Sequence, residues 1–332
     1  MFSKVVGLLK SSLIASEQVD SYSQLDFIGD VHAHYNELVG LLKKMDYEYS
    51  NGVWQHPQKK AVFVGDFVNR GPSTLKVLEL VKSMVENNKG YALLGNHELN
   101  LIGYFTLRKN GSPIAKLTPT HQAQMEQIKY QFENEEELQR YIKWLKKLPF
   151  FIDFGSTRAV HAYWGKSNKA VVDSTLATNE LDKKLIKEIF KENSEFSKSV
   201  WQTTKGIEIN LPKDLIVKDS KNIRRTNFRI KWWEDPKDKT FRTIGFGNRF
   251  QLPKYTIPKE IILPFDVYSP KEPIVFFGHY CLGNDPLIIM DNICCLDSCV
   301  AGNSRKLTAY RWTGEKKLNP EHLVQFVKQI IV

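Results

Sequence analysis

Long apolar runs are missing from this 332-residue chain. No segment approaches the roughly 18 consecutive apolar residues that a membrane-spanning helix needs, which excludes that class of protein, and no membrane partner is expected. The apolar run Val5 to Leu9 is cut short by Lys10, Ser11 and Ser12, too soon for the core of a secretory signal. An amphipathic surface helix over Met1–Asp20 and a cytoplasmic location are the expectations. Cysteine is scarce too: Cys281, Cys294, Cys295 and Cys299 lie towards the C-terminus without the paired CxxC spacing of a four-thiolate zinc site. Neighbouring residues of a strand point to opposite faces, so Cys294 and Cys295 suit neither chelation nor bridging. Buried, reduced thiols are expected at all four positions. Acidic residues are in deficit, with 47 Lys and Arg against 37 Asp and Glu and a net charge of +10. Residues 165–270 hold 21 Lys and Arg against 14 Asp and Glu, which is +7 of that +10. Such an excess suits an anionic substrate, and equally a solvated basic surface.

What is present in the first third is a repeated local pattern. Leu25 to Ile28 leads into Gly29-Asp30, Ala61 to Val64 into Gly65-Asp66, and Tyr91 to Leu94 into Gly95-Asn96. Each reads as a buried strand ending in a tight turn with a polar residue at its C-terminal edge. Helical spacing follows the first two: Leu38, Leu41, Leu42 and Met45, then Leu75, Leu78, Val81 and Val85, with Pro72 and Ser73 suited to opening the second helix. Strand, helix, strand, helix, strand implies parallel pairing with right-handed crossovers. A long helical stretch is expected from about Thr120 to Leu148, then a strand at Arg158 to Ala162 containing His161. Residues 165–270 read as an inserted, cap-like segment, with a charged helix at Asn179 to Lys191 and an aromatic-basic stretch from Arg224 to Trp233. Residues 1–164 and 271–332 form the expected α/β core, whose strands resume at Ile274 to Phe277 before Gly278-His279.

Ligands of parallel α/β sheets gather beyond the strands' C-terminal ends. This chain places Asp30, Asp66, Asn96 and His279 there, with His32 and His97 in adjoining turns and His161 near the end of its own strand. Carboxylate, imidazole and amide oxygen without thiolate suit manganese, iron or zinc better than a soft metal. Two cations about 3.5–4 Å apart can polarise phosphoryl oxygens for in-line attack. A nearby arginine can hold those oxygens, and an imidazolium can protonate the leaving group.

Gly29-Asp30-Val31-His32, Gly65-Asp66-Phe67-Val68-Asn69-Arg70-Gly71, Gly95-Asn96-His97-Glu98, His161 and Gly278-His279 together resemble the signature of the calcineurin-like metallophosphoesterases. The branch most similar is that of the phosphoprotein phosphatases, which includes bacterial protein phosphatases and symmetrical diadenosine tetraphosphatases. The resemblance covers roughly 22–163 and 272–312. It implies a two-sheet sandwich flanked by helices and two divalent metal ions, manganese first, with iron or zinc as alternatives. By motif position Asp30 and His32 would hold the first metal. Asp66 would bridge, and Asn96, His161 and His279 would hold the second. His97 would be the general acid and Arg70 a phosphate clamp, with Asp297 structural.

The chain departs from the pattern at particular places. Asn69 stands where the branch has an aspartate that orients the histidine, so His97 lacks a charge favouring imidazolium. Ala33 replaces a glycine. His161-Ala162-Tyr163-Trp164 matches neither substrate-defining pattern of the branch. The expected reaction is hydrolysis of a phosphomonoester, with a serine/threonine-type protein phosphatase first. Nucleotides such as diadenosine polyphosphates, or nucleic-acid ends, are the alternative substrates, and a degenerate phosphoesterase that only binds is the alternative class. Arg224, Arg225 and Arg229 are the expected substrate contacts of the cap.

Overall fold

The computed structural model describes residues 24–176, 180–191, 193–213, 215–218, 224–246, 252–261, 265–302 and 304–327. The expected N-terminal surface helix lies outside them. Among the described residues no helix is long and apolar enough to cross a membrane.

The three motif-bearing strands of the first third are β1 (Leu25–Ile28), β2 (Lys60–Phe63) and β3 (Gly90–Ala92). They pair in parallel, as the alternation of strands and helices implied. The crossovers are α1 (Tyr35–Lys44) and α2 (Thr74–Glu86), the latter entered through Ser73. A third helix, α3 (Asn96–Phe105), opens directly on the third motif, which the apolar spacing had not revealed. The expected long helix is two: α4 (Pro119–Lys129) and α5 (Glu135–Leu145). Asn134 accounts for the break. Its side chain accepts from the Glu137 amide at 2.9 Å, and Glu135, Glu136 and Glu137 fill the first turn of α5 where the helix dipole favours acids.

A second sheet is built from β4 (Phe151–Asp153), β5 (Thr157–Val160), β6 (Ile274–Phe277), β7 (Ile288–Met290) and β8 (Ile293–Cys295), in the order β7-β8-β6-β5-β4. The chain returns to the first sheet through β9 (Lys306–Trp312) and β10 (Leu323–Val327), giving the order β10-β9-β1-β2-β3. The two sheets face each other: Phe27 of β1 stacks on Phe276 of β6 with ring centroids 3.9 Å apart. Val62, Val64, Leu93, Ala159, Cys294 and Leu296 complete this inner layer. Helices cover the other faces, where Ile28, Leu38, Leu78, Phe277 and Cys295 share a second apolar cluster. Cys294 and Cys295 thus enter different layers, as their adjacency in a strand requires.

Side chains of the 165–270 segment, among them Val172, Ile186, Val200 and Trp232, join that second cluster. The segment contains α6 (Lys166–Thr175), α7 (Lys183–Ile189) and α8 (Glu195–Lys205). The helix expected from Asn179 begins at Lys183 after an Asp182 cap, and Asn179 itself lies outside the described residues. In the aromatic-basic stretch Phe228, Ile230, Trp232 and Trp233 are buried, so its aromatic half is packing.

The cysteine expectation needs correction. Cys281 and Cys299 form a disulfide, while Cys294 and Cys295 are free and buried as expected. Two turns 18 residues apart bring the pair together. No local spacing announces that.

Candidate metal centre

The ends of both sheets meet at one edge of the sandwich. Asp30 follows β1, Asp66 follows β2, and Asn96 opens α3 just beyond β3. The second sheet supplies His161 after β5 and His279 after β6. The turns are tight. His32, Asp66, Asn69, Arg70 and His279 all have positive φ, between 45° and 69°. Non-glycine residues held there cost about 1–3 kcal/mol each and gather at functional sites. Gly29 is required by close approach, because a Cβ on it would collide with the Leu296 carbonyl.

Two histidines are oriented by the backbone. His161 donates from Nδ1 to the Val64 carbonyl at 2.8 Å, which turns Nε2 towards Asp66 Oδ1 (3.3 Å) and Asn96 Oδ1 (3.2 Å). His32 places Nδ1 3.3 Å from the Val68 carbonyl, and its Nε2 lies 3.7 Å from Asp66 Oδ2 and 3.9 Å from Asp30 Oδ2. A backbone acceptor on one ring nitrogen leaves the other with its lone pair free, the arrangement of metal-binding histidines. The two oxygens of Asp66 therefore face opposite partners, His161 on one side and His32 on the other. Ligand atoms of His32, Asp66 and His97 lie within 4.8 Å of one another, and so do those of Asp66, His161 and His279. Asp66 is common to both groups.

The electrostatics call for positive charge. Burial, with the nearby Asp297 and Asp66 carboxylates, pushes Asp30 well above the usual carboxylate range. Burial alone would raise Asp66 too, but His161, His97 and His32 hold it well below that range. His161, although buried, is driven up to about 10 by Asp66 and Asp30. Burial holds His32 and His279 well below the usual imidazole value, in the neutral state a ligand needs, whereas a cation at His161 would displace the proton that Asp66 and Asp30 hold there. The backbone amide of His279 donates to both Asp30 oxygens, at 3.2 and 3.0 Å. Its ring Nε2 is buried without a hydrogen-bond partner. A buried polar atom without a partner, on a ring with a ligand atom within 4.8 Å of those of Asp66 and His161, has a cation as its natural partner. The donors present fit a pair of hard or borderline divalent ions.

Of the residues expected to act on substrate, His97, Asn69 and Arg70 come together. Asn69 Nδ2 is 2.9 Å from His97 Nδ1, and Arg70 Nη2 is 3.4 Å from His97 Nε2. His97 Nε2 also lies 3.9 Å from Asp66 Oδ2, so this histidine stands at the centre itself. The cap arginines separate. Arg224 and Arg225 are exposed on a two-residue ribbon strand, Arg224 donating to the Lys213 carbonyl at 3.0 Å. Arg229 lies inward. Its charge is the second cause, after burial, of the low His279 value. Its guanidinium stands 5.5 Å from the Tyr280 ring centroid and 3.6 Å from Glu208, and its Nε is buried without a partner.

Two contributors had no part in the site assigned from sequence. Glu98 accepts from the backbone amides of Asp66 (2.9 Å), Phe67 (2.8 Å), Val68 (3.2 Å) and Gly95 (2.9 Å), tying the second motif to the third. Its place three residues into α3, as in a capping box, was the available signal. Asp297, read as structural, is a third buried carboxylate near Asp30, and burial raises its pKa against the opposing pull of the Cys299 amide and Arg70. Nothing local to its sequence shows that.

A family model described as calcineurin-like phosphoesterase matches residues 24–282. An asymmetrical bis(5'-nucleosyl)-tetraphosphatase of Halalkalibacterium halodurans is 45% identical over 87 residues, covering 26% of this chain and 35% of that protein. A symmetrical bis(5'-nucleosyl)-tetraphosphatase of Buchnera aphidicola is 34% identical over 129 residues, covering 38% and 37%. The chain thus spans little more than a third of the length of these relatives. A solved serine/threonine phosphatase of Saccharomyces cerevisiae is similar in outline at 12% identity and a TM-score of 0.47, covering 95% of this chain and 83% of that one. With the family model matching well over half its length, and with a metal-ligand constellation at the meeting edge of its two sheets, this chain belongs to the calcineurin-like phosphoesterases.

Proposed function

We propose that the chain is a cytoplasmic two-metal phosphoesterase that cleaves dinucleoside polyphosphates. The single observation that carries the reaction class is the double-sided Asp66. One oxygen faces His161 and the other His32, and His279 Nε2 stands buried and unpartnered nearby. Asp30 and His32 would hold one ion and Asn96, His161 and His279 the other, with Asp66 shared. When bound, the two ions neutralise phosphoryl charge and lower the barrier to attack by water on phosphorus. Manganese is the preferred metal for this mixture of oxygen and imidazole donors.

The protein's own groups do the rest. Arg70, 3.4 Å from His97, can hold non-bridging phosphoryl oxygens, and Arg229, whose charge acts on His279, is the cap's candidate for a second contact. His97 can deliver a proton to the leaving oxygen, and Asn69 fixes the ring. Residues 165–270 serve as a cap contributing Arg229. Dinucleoside polyphosphates come before phosphoproteins because of the named relatives and because the substrate carries several phosphates to a basic cap. A serine/threonine protein phosphatase is the alternative substrate reading.

The test is a turnover panel on metal-loaded protein with diadenosine tetraphosphate, phosphoserine and phosphothreonine peptides, a 5'-phosphorylated oligonucleotide and an aryl phosphate. Cleavage of the dinucleotide at the highest kcat/KM supports the reading. Preference for phosphopeptides moves the substrate. No turnover by protein that holds two metals would leave a binding protein.

A further inference from the structure

The disulfide joins two turns of the metal centre. Cys281 stands two residues after His279, and Cys299 two residues after Asp297, with the paired Cα atoms 5.0 Å apart. The turns are laced by hydrogen bonds as well. The Leu282 amide donates to the Asp297 carbonyl at 3.0 Å, and the Cys299 amide to Asp297 Oδ1 at 2.9 Å. Both sulfurs lie within 4.8 Å of an Asp297 carboxylate oxygen. His279 and Cys299 are each held at a φ of 63°, a conformation their neighbours must enforce. Cys281 is half-buried, whereas Cys294 and Cys295 are fully buried.

We propose that Cys281–Cys299 is a thiol–disulfide exchange site whose oxidation state sets how tightly the metal position at His279 is held. The inference rests on the reading of His279 as a ligand. The co-reactant is a dithiol. One of its thiolates attacks the Cys281 sulfur, the S–S bond breaks, and Cys299 leaves as thiolate and takes up a proton. The second dithiol sulfur then displaces Cys281, which is protonated in turn. The reductant departs as its own disulfide, and two electrons and two protons have passed to the protein. A disulfide oxidant of the same class reverses the sequence. The closed bond fixes the His279 turn against the Asp297 turn, and opening it leaves His279 positioned by its hydrogen bonds to Asp30 and its ring contacts with His161 and Tyr280. Loss of support behind a ligand costs about 10–100-fold in metal affinity.

The experiment compares manganese binding by equilibrium dialysis in three samples. These are oxidised protein, protein reduced with a dithiol and desalted under nitrogen, and the Cys281→Ser/Cys299→Ser variant. Thiols are counted in denaturant, and circular dichroism checks folding. The expected result is two thiols in the oxidised sample and four in the reduced one. The weaker manganese site should lose about tenfold in affinity both on reduction and in the variant. A thiol count of four after oxidant treatment would overturn the inference, as would equal affinities in all three samples. Failure of every sample to bind manganese would overturn it together with the metal-centre reading. Equal, tight binding removes this inference alone.

Discussion

The Asn69 side-chain amide lies 2.9 Å from Nδ1 of His97, while Arg70 Nη2 approaches the other ring nitrogen at 3.4 Å. A neutral imidazole has one acceptor, and arginine can only donate. Nε2 therefore accepts and Nδ1 carries the proton, which calls for the Asn69 amide turned end for end so that Oδ1 takes the place of Nδ2 beside Nδ1. That orientation also satisfies Asn69 Oδ1, which is otherwise buried without a partner.

Asn69 thus orients His97 without charging it. Burial, together with Arg70 and His161, holds the imidazole down at about 4 in spite of Asp66. A carboxylate at position 69 favours imidazolium and raises that value. The proton donor then survives to higher pH, so Asn69→Asp should move the alkaline limb of kcat/KM upward by about one unit or more. The measurement is a pH profile on an ester with a poor leaving group. A limb that stays in place would assign it to another group.

Metal removal should abolish turnover. Chelated and desalted protein is expected to be inactive on an aryl phosphate, with manganese restoring it better than calcium, which prefers flexible all-oxygen sites. His279→Ala should lose one metal equivalent by elemental analysis. Full activity of verified metal-free protein would sink the two-metal reading.

His97→Ala separates proton delivery from metal binding, since this histidine stands near both Asp66 and Arg70. The variant should keep both metals and lose on the order of 10²–10⁴ in rate with a poor leaving group. The deficit should shrink for a nitrophenyl ester, whose leaving group needs no proton. Loss of metal in the variant would make His97 a ligand.

The cap arginines should differ sharply. Arg229→Ala, which removes a charge acting on His279, is expected to lower kcat/KM tenfold or more, in keeping with about 1.5–3 kcal/mol for a charged hydrogen bond. Arg224→Ala, on the exposed ribbon, should change it less than threefold. Equal effects in steady-state assays would mean that the cap does not approach through Arg229.

Glu98→Gln should destabilise the fold itself. Burial and the Asp66 charge push the Glu98 carboxyl up to about 7, yet both its oxygens accept backbone amides. Whichever way a glutamine amide turns, its NH₂ meets backbone N–H groups that lose their acceptor. A loss of about 1–3 kcal/mol is expected in urea unfolding. An unchanged midpoint would show that the turns hold without it.

The strand-turn motifs, their order and the six proposed ligands were legible in the sequence for one reason. Each donor sits one to four residues beyond the end of its own strand, so the local turn places it. Asp30 after Ile28 and His279 after Phe277 needed no knowledge of the rest of the chain. What lay beyond that reach was decided by the meeting of the two sheets. Phe27 stacking on Phe276 sets the distance between strand ends, and with it the opposed partners of the two Asp66 oxygens. The same packing brings Cys281 to Cys299, places Asp297 near Asp30, and turns Arg229 inward while Arg224 stays on the surface. These are contacts between residues far apart in sequence, and no periodicity records them. Residue type and strand-end position chose the chemistry, and sheet-on-sheet packing chose which donors share a centre.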